Sequence, residues 1–132
     1  MKDNDTTVAD LRQRVAGFVS ARAWEQFHTP KNLSVAIAIE AAELMEHFQW
    51  LTVEQAVDAV QDEAKRAAVA DELADVLIYG ISLANALGVD VSAVVLAKVD
   101  RNEDRFPVEE WRGRARGVKA HRSAESEKRL LD

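Results

Sequence analysis

The sequence predicts an all-α fold on three observations. Gly and Pro are scarce, five and two in 132 residues. Apolar residues recur at helical spacing, and cap residues stand where those periods begin and end. No alternating strand pattern, heptad array or internal repeat competes with this reading.

Thr7 opens a Thr-x-x-Asp start with Asp10, and Val8, Leu11, Val15, Phe18 and Val19 follow at helical spacing, so a first helix is expected to run to about Ala23. The segment Trp24-Glu25-Gln26-Phe27-His28 then leads to Thr29-Pro30. There Thr29 can cap and the proline sits at the first helical position, where a missing N–H costs nothing. Leu33, Ile37, Leu44 and Phe48 mark the buried stripe of this second helix, and Glu40 falls on that same stripe. Thr52-x-x-Gln55 predicts a capping box and a short helix over roughly 53–60, followed by the polar Gln61-Asp62-Glu63.

A long helix is expected next, with Val69, Leu73, Val76, Gly80, Leu83 and Leu87 as its apolar line and Gly88 as its stop. Glu72, Asp75 and Tyr79 share one side of it. Asp90 can cap a last helix in which Val91, Val94, Val95 and Val99 pack inward. It should end before Phe106-Pro107, because the residue ahead of a proline avoids helical geometry. Lys98, Asn102 and Arg105 line up along it at i, i+4 and i+7. Past Trp111 no apolar period is sustained, so the expected organisation is one domain over 1–112 and a basic, flexible tail over 113–132.

Charge narrows the class of partner. Residues 1–111 hold 10 Lys and Arg against 20 Asp and Glu, while residues 112–132 hold 7 against 3. An acidic body argues against a nucleic-acid polymer, which needs a basic face to displace counterions. Cysteine is absent, which excludes disulfides and thiolate metal sites. No apolar run approaches the roughly 20 residues of a membrane span, and the N-terminus is too acidic for a signal peptide. A soluble, cytoplasmic protein is expected.

Two acidic pairs conflict with this helical order. Glu40 and Glu43, like Glu72 and Asp75, are three residues apart on one helix face, beside apolar surface that should be buried. Two such claws facing each other would gather four carboxylates around one point, where they would repel unless a hard divalent cation joined them. Mg²⁺ is the usual occupant when a phosphate completes its shell, with Mn²⁺ the alternative. A di-iron helix bundle would need Glu-x-x-His on two helices; the spacing occurs once, at Glu25 and His28, and neither His47 nor His121 stands three residues after a Glu. No Gly-rich phosphate loop exists, so a phosphate would have to be held by metal and cationic side chains.

The order Glu-x-x-Glu, spacer, Glu-x-x-Asp resembles the all-α nucleoside triphosphate pyrophosphatases of the MazG-like superfamily. Five segments resemble more narrowly its deoxycytidine triphosphate pyrophosphatase branch: Trp24-Glu25-Gln26-Phe27-His28, Pro30-x-Asn32-Leu33, Phe48-Gln49-Trp50, Asp75-Val76-Leu77-Ile78-Tyr79 and Lys98-x-Asp100-x-Asn102. The resemblance covers roughly residues 7–111. It implies a four-helix unit assembled as a homotetramer, with pockets completed near subunit contacts, that hydrolyses a (deoxy)nucleoside triphosphate between its α and β phosphates with Mg²⁺.

On this resemblance Glu40, Glu43, Glu72 and Asp75 are the metal ligands. Any of them could orient the attacking water, with Glu43 the choice. Trp24, Glu25, Gln26, Phe27, His28, Trp50 and Tyr79 correspond to the nucleoside pocket, and Lys98 and Asn102 to contacts with the triphosphate, while Arg105 continues their line on the helix as a further substrate contact. Nine residues before Trp24 the deoxycytidine-preferring members carry a His where this chain has Val15. Strict preference for deoxycytidine therefore does not follow. Two other readings stay open: a helical module that binds a nucleotide without turning it over, and a relative of the phosphoribosyl-ATP pyrophosphohydrolases, which share the acidic motif but not the aromatic set.

Overall fold

The computed structural model describes residues 2–115, and most of the tail expected over 113–132 lies outside them. Among the described residues the chain is helical without strands: α1 (Val8–Ser20), α2 (Pro30–Glu46), α3 (Val53–Ala59), α4 (Glu63–Leu87), α5 (Val91–Arg105) and α6 (Val108–Trp111), preceded by a 3-10 turn at Asp3–Asp5.

Local chemistry sets the helix ends. The Thr7 hydroxyl accepts from the Asp10 N–H at 3.1 Å, and the Asp10 carboxylate accepts from the Thr7 N–H at 2.8 Å and its hydroxyl at 2.7 Å. These bonds satisfy donors that the first helical turn leaves without partners. Thr52 and Gln55 repeat the box at α3, and the side chains of Thr29, Asp62 and Asp90 cap α2, α4 and α5. Gly88 ends α4 at φ 65°, in the left-handed region where a side chain is penalised. The first helix stops at Ser20, short of Ala23, because Ala23 turns to φ 50° and the Trp24 N–H bonds back to the Val19 carbonyl at 3.1 Å.

α4 packs against both α2 and α1. The second contact is pinned by a reciprocal pair: Arg12 Nε donates to Asn85 Oδ1 at 2.9 Å, and Asn85 Nδ2 donates to the Arg12 carbonyl at 3.2 Å. Leu33, 1% exposed, and Val19 are the buried apolar residues among those described, and Ser82 on α4 is a buried polar one.

The sequence expected a deeper core. Leu73 and Leu87 of the α4 line are exposed, as are Val94, Val95 and Val99 of α5, which were expected to pack inward. α5 follows α4 after a bend of 105°, and among the described residues it makes no extensive packing contact with another helix. Among the described residues four helices are long, and three of them, α1, α2 and α4, make the packed layer. None of the described helices is by itself long and apolar enough to cross a membrane.

Candidate active site

The packing of α2 along α4 turns two sequence motifs into one constellation. Glu40 and Glu43 project from α2 and Glu72 from α4, and one carboxylate oxygen from each lies within 4.8 Å of the others. Three carboxylates this close repel one another. Glu40 shows the result: its carboxyl is held above the usual range, first by partial burial and then by the charges of Glu43, Asp75 and Glu72. Asp75 acts on Glu40 through its field but is exposed and stands outside the 4.8 Å group, so the four-carboxylate claw is here a triad with a fourth acid beside it. An all-oxygen, all-anionic donor set fits a hard divalent cation such as Mg²⁺.

Beside the triad opens a cavity of about 390 Å³ lined by Glu43, Glu46, His47, Lys65 and Glu72. Lys65 Nζ lies 3.0 Å from His47 Nδ1, and His47 Nε2 lies 4.0 Å from Glu72 Oε1. Sequence reasoning missed Glu46, His47 and Lys65 as members of the site. A signal was present: His47 is four residues after Glu43 and seven after Glu40, and Lys65 is seven before Glu72, so each shares a face with its claw.

Tyr79, one turn beyond Asp75 on α4, meets the aromatic segment that follows α1. His28 and Tyr79 have ring centroids 6.5 Å apart, His28 and Trp24 6.4 Å, and Trp24 meets Phe18 edge-on at 5.7 Å. Arg22 lies over the Phe18 ring at 3.7 Å and near Trp24 at 5.8 Å, so Phe18 and Arg22 back this row although the sequence did not single them out. Gln26 donates to the Ala23 carbonyl at 3.1 Å, and Asn32 donates to the Phe27 carbonyl at 3.0 Å. Both bonds fold the segment rather than present it. Glu25 and Phe27 are exposed on its rim.

Two groups of expected residues are not drawn into this constellation. Trp50, in the turn after α2, is 86% exposed and stacks on none of the rings above. Lys98 and Arg105 are exposed on α5, with Arg105 5.2 Å from the Phe106 ring and Asn102 half-buried. Both cations lie on the helix that follows α4 after a bend of 105°.

The model of the MazG-like family matches residues 35–119. The dCTP pyrophosphatase 1 of Bos taurus is 42% identical over 112 residues, 85% of this chain and 66% of that protein. The dCTP pyrophosphatase 1 of Homo sapiens is 43% identical over 103 residues, 78% of this chain and 61% of that protein. The chain thus spans just under two thirds of the length of these curated relatives. A crystal structure of a pyrophosphatase from Archaeoglobus fulgidus DSM 4304 superposes with a TM-score of 0.70 at 36% identity, covering 75% of this chain and 91% of that one.

Proposed function

Because the chain belongs to the MazG-like family, we propose that it is a Mg²⁺-dependent hydrolase that splits a (deoxy)nucleoside triphosphate, dCTP or a modified dCTP, into the monophosphate and pyrophosphate. The role fits the clearing of unwanted nucleotides from a cytoplasmic pool. The observation that carries this reading is the triad of Glu40, Glu43 and Glu72 oxygens within 4.8 Å, with Tyr79, two turns beyond Glu72 on α4, meeting His28, which in turn meets Trp24. The triad suits a metal-bound phosphate and the rings a planar base. The relatives named for dCTP pyrophosphatase support the substrate.

Glu40, Glu43 and Glu72 would hold the cation, with Asp75 joining them. Bound there, the cation would neutralise charge on the phosphate oxygens and lower the pKa of an attacking water. Glu43, exposed at the cavity, orients that water. The Trp24, His28 and Tyr79 rings hold the base, and Trp50 closes on it from the turn after α2. Val15, half-buried on α1, offers no hydrogen bond to a base edge, so selectivity among pyrimidines rests on the aromatic row.

Lys98, Asn102 and Arg105 reach the triphosphate in a homotetramer, where the exposed apolar faces of α4 and α5 are covered by other copies. Residues 1–112 are the catalytic unit, and the basic segment from 113 is an appendage to it. The test is a panel of nucleoside triphosphates, including 5-modified dCTP, incubated with Mg²⁺ while monophosphate and pyrophosphate are followed. Turnover to both products is expected. Release of orthophosphate, or nucleotide binding by calorimetry without turnover, would sink the reading and favour a binding module.

A further inference from the structure

We propose that Lys65 and His47 are a positioning pair that sets the Glu72 carboxylate. The proposal rests on the reading of Glu72 as a metal ligand. A charged lysine carries only donors, so the 3.0 Å contact makes His47 Nδ1 the acceptor and places the ring proton on Nε2. That nitrogen faces Glu72 Oε1 at 4.0 Å, so the donor side of the ring is turned toward the carboxylate. The line starts on α4 at Lys65, crosses to α2 at His47 and returns to α4 at Glu72, and all three line the same cavity.

The arrangement answers a physical need. Glu72 stands among carboxylates that repel it, and its side chain is free to swing toward solvent unless something holds it. A lysine placed directly on Glu72 would hold it but would compete with the cation for both oxygens. An imidazole whose N–H faces Oε1 from 4.0 Å attracts the carboxylate without a short hydrogen bond to it, so both oxygens stay available to a cation. The lysine then acts at one remove, by fixing the tautomer.

Two measurements on the full chain test the pair, one of them without any metal. In two-bond ¹H–¹⁵N spectra His47 of the wild type should show the Nε2–H tautomer, and Lys65→Met should shift it toward a mixture. Mn²⁺ binding without nucleotide, followed by electron paramagnetic resonance, should weaken about tenfold or more in Lys65→Met and His47→Leu. His47→Gln, whose amide keeps a donor near the place of Nε2, should recover most of the affinity. Circular dichroism should report native helicity in all three. Loss of Mn²⁺ in Glu72→Gln with unchanged affinity in Lys65→Met and His47→Leu overturns the pair and leaves the metal reading standing. Unchanged affinity in Glu72→Gln as well overturns both.

Discussion

Glu40 sits on the half-buried face of α2 with three other acids acting on it, and its pKa is raised first by burial and then by their charges. Glu40→Gln is therefore expected to stabilise the metal-free protein, by about 0.5 kcal/mol from the like-charge neighbour on its own helix, while abolishing binding of Mg²⁺. Thermal melts with and without the ion check both halves, and a destabilised metal-free variant would contradict the account. Trp50 is almost fully exposed, so its substitution should leave folding alone. Trp50→Ala should raise KM more than it lowers kcat, because stacking holds ground and transition states alike. Steady-state kinetics decide, and a dominant loss in kcat would move Trp50 into the catalytic geometry. At this scale Glu40, Glu43 and Glu72 were legible, since three-residue spacing on a helix fixes a shared direction. The faces of His47 and Lys65 were legible in the same way, but their contact at 3.0 Å was not, because it depends on the register of α2 against α4.

Helix ends were the most legible elements. Thr7, Thr29, Thr52, Asp90 and Gly88 all act where the sequence placed them, because a cap depends on bonds within a few residues and hardly on the rest of the chain. The Asp10 carboxyl lies below its usual value, first because the Thr7 backbone N–H donates to it and then because the Thr7 hydroxyl does. A carboxyl with a lowered folded pKa adds stability that is present above the unfolded value of 3.8 and is lost as pH falls through the folded one. Asp10→Asn should thus cost stability at neutral pH and nothing in strong acid, as thermal melts at the two conditions would report. Gly88→Ala should destabilise by about 1 kcal/mol. A Cβ there meets no neighbour, so the backbone at φ 65° supplies the whole cost. Denaturant titration measures it, and a neutral result would mean that α4 can end differently. The inward packing of α5 was misread at this scale: Val91, Val94, Val95 and Val99 do form a face, but periodicity says that a face is apolar and not what covers it.

At the scale of the molecule, few apolar side chains are buried among the described residues, and much apolar helix surface is exposed. Leu96, 63% exposed, and Val94, Val95 and Val99 stand on α5, which follows α4 after a bend of 105°. Leu96→Glu is expected to lower the mass in solution from that of an oligomer to that of a single chain, read by light scattering, and to reduce turnover with it. An unchanged mass would direct the interface elsewhere. By itself the sequence determined the helices, their caps and the two acidic pairs, because helical geometry and capping are set within about one turn of chain. Only the tertiary structure decided that three carboxylates form the tight group with Asp75 beside it, that Lys65 reaches Glu72 through His47, and that Lys98 lies on a helix bent by 105° from α4. Each of these depends on how two helices slide and cross, and crossing geometry is fixed by the packing of side chains far apart in sequence.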